Sequence, residues 1–198
     1  MERRVAAIAA AATLTAAAAV ATAVLLLRRS SCDEAERVLA FWFDGNQDEL
    51  YERRWFVAAG SAAQAALDGE VAASFGSLLE RARRGELDHW RRTPRGALAL
   101  IVLLDQLGRH AYRGQRALVA EADAIALLVC TDLFERGWDA QLGAAQLVFA
   151  LMPWRHQPTE PRLEQALSRA EARLCVDPEG CNPPAFKPTP WHRLKLKL

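Results

Sequence analysis

Leu103-Leu104-Asp105-Gln106-Leu107-Gly108-Arg109-His110-Ala111-Tyr112-Arg113-Gly114 sets an acid, an amide and bases at the end of a run that is otherwise apolar. Charges in such a setting need partners, because an unpaired buried charge is strongly unfavourable. With about 100° of rotation per helical residue, Leu98, Ile101, Val102, Asp105 and Arg109 share one stripe. Leu100, Leu103, Leu104 and Leu107 cover the other faces. A helix that is apolar all round lies in the middle of its domain. Asp105 and Arg109 are i,i+4 neighbours that pair on a helix with or without a function. Arg109 also has the loop carbonyls around Gly114 as candidate acceptors. The helix reads as Ala97 to Leu107, broken at Gly108.

Outward from this stretch the punctuation is helical, and no run of alternating strands is present. Acids at Asp33, Glu34 and Glu36 open a first helix that stops near Asp44-Gly45. Trp55-Phe56 follows an acid- and Arg-rich connection and reads as a buried plug. From Ser61 to Arg84 the apolar residues Leu67, Val71, Phe75, Leu78 and Leu79 recur at helical spacing, and Gly85 closes the helix. Thr93-Pro94 is an N-cap followed by proline at N1. Further helices read as Ala122 to Arg136 with Gly137 as cap, Gln141 to Leu151 ending at Pro153, and Pro161 to Leu174. The fold class is all-α: a compact helical-hairpin bundle over 33–175, followed by a Pro-rich tail over 176–198 that reads as poorly ordered. No clear 34-residue repeat appears, which favours one globular domain over a solenoid.

The amino terminus is a different material. Val5 to Leu27 carries no charge, Pro or Gly and lies between Arg3-Arg4 and Arg28-Arg29. At 1.5 Å per residue it is long enough to cross a hydrocarbon core of about 30 Å. The expectation is one transmembrane or signal-anchor helix within 1–30, with the membrane as a partner through Val5 to Leu27. A cleaved secretory or organellar leader is the alternative. Orientation stays open, since two Arg stand on each side.

A formal charge of +1 over 198 residues gives no general attraction to nucleic acid. The cysteines Cys32, Cys130, Cys175 and Cys181 form no C-x-x-C pair. Cys130 reads as a small core residue, while Cys175 and Cys181 flank a segment in which they could pair in an oxidising compartment. His89, His110, His156 and His192 share no ligand spacing with one another or with the cysteines, so neither a metal nor another cofactor is expected.

Phe41-Trp42-Phe43, Trp55-Phe56, Gly85-Glu86-Leu87-Asp88-His89-Trp90, Leu98 to Gly114, and Phe149-Ala150-Leu151-Met152-Pro153 with His156 resemble, in order and spacing, the family called domain of unknown function 924. That resemblance implies a compact helical domain related to tetratricopeptide-type hairpins, with no settled activity. It places Asp123 where the family has an Asp preceding its next helix. The chain departs from the family pattern at Leu107-Gly108-Arg109-His110, in place of F-P-R-N. It departs again at Pro153-Trp154-Arg155-His156-Gln157-Pro158, in place of P-L-E-H-S-E, where both acids around His156 are lost.

The candidate polar site is Asp105, Gln106, Arg109, Arg113, Asp123 and His156, with His110 as a neighbour. Two functions compete. One is a membrane-tethered, non-catalytic module that binds a protein or peptide, with Trp90, Trp138 and Trp154 as candidate contacts. The other is a small-molecule hydrolase or other acid–base enzyme using a pocket around Asp105, Arg109 and His156. No nucleophile elbow, H-E-x-x-H, P-loop or dinucleotide-binding glycine pattern supports the second. Convergence of the polar residues on one open pocket favours the enzyme, and internal pairing favours the module.

Overall fold

The computed structural model describes residues 33–156, together with positions 164 and 168. The segment expected to be an anchor, Cys32, the Cys175–Cys181 segment and the expected tail lie outside the described residues. So does most of the helix expected over Pro161 to Leu174, of which positions 164 and 168 are helical. Among the described residues there is no strand, and no helix is long and apolar enough to cross a membrane.

Helix α1 spans 33–43 and α2 spans Gln47–Leu50, continued by a π-helical turn over Tyr51–Trp55. The acid- and Arg-rich connection is therefore helical. Trp55 is buried at its end, with its indole N–H on the carbonyl of Trp42 at 2.9 Å. α3 spans Ala62–Arg83, and the side chain of Ser61 caps it by accepting from the Gln64 N–H. Gly85, at φ +77°, turns the chain into a 3₁₀ turn over Asp88–Arg92.

The central helix has three pieces: α4 (Pro94–Ile101), a π-helical stretch (Val102–Leu107) and α5 (Gly108–Ala111). Thr93 caps it through the Gly96 N–H, as its sequence requires. Residues Ala97 to Leu104 are all at most 1% exposed, so the helix with no polar face is the one at the centre. It lies between α3 and α6, and α7 flanks its N-terminal part.

Three boundaries differ from the sequence reading. Gly108 does not break the central helix; it sits at φ −58°, and the turn comes at Gly114, φ +83°. Gly108 is buried and faces Ala122 and Leu79, where a Cβ would meet both at 3.7 Å, an ordinary van der Waals distance. The next helix, α6, spans Arg116–Glu135 and starts without a side-chain cap, so no punctuation marked its beginning. Asp123 is consequently inside α6 and does not precede it. The helix expected over Gln141 to Leu151 is shorter, α7 (Ala144–Ala150), preceded by a 3₁₀ turn (Trp138–Gln141) and followed by α8 (Met152–Arg155). Pro153 stands in the first turn of α8, where its missing N–H costs nothing.

The core is continuous. Trp42 of α1, Trp55 and Phe149 of α7 stack edge-on, with ring centroids 5.4 and 5.1 Å from Phe149. Cys130 is fully buried in α6, as expected. Trp90 and Trp154 are also buried, and Trp154 donates to the Thr131 hydroxyl at 3.2 Å.

Candidate functional site

Asp105 is 0% exposed, and its carboxylate is fully engaged. Oδ1 accepts from His156 Nδ1 at 2.7 Å and lies 3.5 Å from Arg109 Nη2, while Oδ2 accepts from the Gln106 amide. A carboxylate only accepts, so Nδ1 carries the ring hydrogen that faces it. The 2.7 Å approach of Arg109 Nη2 to the same Nδ1 is then a contact between two donors.

Arg109 finds its stronger partner on α6. Its Nη2 lies 2.9 Å from each oxygen of Asp123, against 3.5 Å to Asp105. The expected i,i+4 pair is therefore secondary, and Arg109 does not cap the loop around Gly114. It ties the central helix to α6, while Asp105 ties the same helix to His156 at the end of α8. The side chains of Arg109, His156 and Asp123 are 34, 30 and 20% exposed, so the cluster opens on one side. Burial raises the Asp123 pKa above the usual value, and the negative charge of Asp105 adds to this, against the guanidinium and imidazole. Arg109 Nε is buried without a partner, as is Trp42 Nε1.

Five of the six expected residues thus meet: Asp105, Gln106, Arg109, Asp123 and His156. Arg113 does not join them. It pairs with Asp68 of α3, through Nε and through Nη2 at 3.0 Å. His110 joins the same acid, its Nδ1 2.7 Å from Asp68 Oδ1. Burial acts to raise the Asp68 pKa, but hydrogen bonds from Arg113 and His110 outweigh it and hold the carboxyl below its usual range. Sequence reading missed Asp68, because nothing in α3 marks which of its polar residues faces the central helix. Three ligand-type residues, Asp105, Asp123 and His156, also converge, each offering an atom within 4.8 Å of the others. Spacing along the chain could not show this, since each belongs to a different element.

A groove of about 710 Å³ lies elsewhere. It is built where α1, the 3₁₀ turn, the start of α4 and α7 meet, and none of the clustered residues lines it. Pro94 at its edge and Asp105 in the cluster are separated by about 16 Å along the central helix at 1.5 Å per residue. Trp90, Leu142, Pro94 and Ala35 give the groove its apolar lining; His89, Arg92, Arg95 and one acid, Glu36, also line it. Glu36 accepts from Arg95 Nε at 2.7 Å and from Arg95 Nη2, which holds its pKa below the usual carboxylate value.

The comparisons agree with this architecture. Residues 38–179 match the model of a family described as bacterial protein of unknown function, DUF924. The chain belongs to this DUF924 family. A solved structure described as a protein of unknown function, ATU0120 from Agrobacterium tumefaciens, is similar at 26% identity and a TM-score of 0.56. That likeness covers 72% of this chain and 81% of the other. No curated protein matches. Family membership therefore brings a helical fold and no reaction.

Proposed function

We propose that this DUF924 domain is a non-catalytic binding module whose groove beside the start of α4 takes a short acidic peptide segment. The carrying observation is the separation of two features. The polar residues pair mainly with one another at one end of the central helix, and the groove lies at the other. Its volume is within the range of about 300–1,000 Å³ typical of ligand sites. With Arg95 already holding Glu36, Arg92 offers the groove a positive charge that complements an acidic residue, while Trp90 and Leu142 suit an apolar side chain beside it. Attachment to a membrane through Val5 to Leu27 belongs to the same proposal, as the means of holding the module in place.

The test is fluorescence anisotropy with a labelled peptide of alternating Glu and Leu. Saturable binding that Arg92→Glu weakens about tenfold, equivalent to about 1.4 kcal/mol, is the expected result. Equal binding by the variant would remove the groove from the proposal.

One observation favours the acid–base alternative. A fully buried Asp105 behind a partly exposed His156 fixes the ring through Nδ1 and leaves Nε2 as a base. In that reading ligands meet His156 and Arg109, not Arg92.

A further inference from the structure

Asp105, Asp123 and His156 come from the central helix, α6 and the end of α8, and each presents a ligand atom within 4.8 Å of the other two. Two carboxylates and an imidazole suit divalent ions of the Mn²⁺, Co²⁺ and Zn²⁺ class. A cation already stands among them, since Arg109 Nη2 touches all three residues.

That cation is held in a compromised way. Every contact Arg109 makes to the cluster runs through Nη2, while its Nε is buried without a partner, which is unfavourable. The side chain is 34% exposed, so it has a path to solvent. Charge also leaves room. Two carboxyl groups face a single guanidinium. A divalent ion in the guanidinium's place would balance both carboxylates.

We propose that Asp105, Asp123 and His156 form a divalent transition-metal site in which Arg109 is the exchangeable internal cation. The ion takes over the three-way tie between the central helix, α6 and α8 when Arg109 swings outward. The inference is independent of the groove and of any peptide.

Titration of the full chain with Co²⁺, followed by visible absorption and by calorimetry, tests it. The expected result is one saturable site, tightened at least about tenfold by Arg109→Gln and weakened to a similar or greater degree by His156→Gln and by Asp123→Asn. Asp123 is at the rim, so its variant keeps the test open if an Asp105 variant fails to fold. Absence of saturable binding in both the wild type and Arg109→Gln overturns the proposal. So does binding that persists unchanged in His156→Gln and Asp123→Asn, which places the ion elsewhere. An affinity not improved by Arg109→Gln overturns the exchange.

Discussion

Asp105 and Asp123 share the same guanidinium but not the same surroundings, and their substitutions should differ accordingly. Asp105 is fully buried and accepts from His156 and Gln106 as well as lying near Arg109. Asp105→Ala strands those donors inside the protein and should cost about 3–5 kcal/mol in urea unfolding. Asp123→Ala, at a site 20% exposed, should cost less than half as much. Equal losses would mean that Asp105 is not the centre of the cluster. Two other residues set the pH limits. The Asp68 pKa is lowered on folding, so its contribution is present above the unfolded value and is lost as pH falls through the folded one. Asp68→Asn should therefore flatten the acid limb of a stability–pH curve. Tyr112 is pushed up to about 12 by burial and by its hydrogen bond to Glu80. Its contribution is full below the unfolded value, about 10, and lost as pH climbs through the folded one. Tyr112→Phe should remove that alkaline loss, and an unchanged limb would contradict the assignment.

At the scale of elements, the start of the central helix is the most constrained place. A Cβ on Gly96 would run into the carbonyl oxygen of Trp90 and lie 2.9 Å from Thr93 Oγ1, the capping atom itself. Gly96→Ala should destabilise by about 1–3 kcal/mol, and Thr93→Ala by about 0.5–2, both read from urea midpoints. The Thr93-Pro94 start, the Ser61 cap and the all-apolar central helix were legible because each is a local signal. Gly108, the start of α6 and Asp123 were misread for one reason: their conformations follow from packing between α3, α5 and α6. A buried glycine inside a helix looks in sequence like one that ends a helix. The cluster was legible in membership, since chemistry selects Asp105, Arg109 and His156. Its wiring was not, because the partner choice of Arg109 depends on where α6 crosses. Arg113 and His110 went to Asp68 for the same reason.

For the whole molecule, membrane attachment is testable apart from the fold. Carbonate extraction should leave the full chain with the membrane fraction, and release into the supernatant would exclude an integral anchor. One buried helix carries a polar tie at one end and, at the other, the groove proposed to take a peptide. Backbone amide NMR shifts during titration with the Glu/Leu peptide read both ends at once. The account predicts shifts concentrated at Ala35, Arg92, Arg95, Leu142 and Gln146, with Arg109, Asp123 and His156 unmoved. Shifts centred on Arg109 and His156, with the groove residues silent, would contradict it.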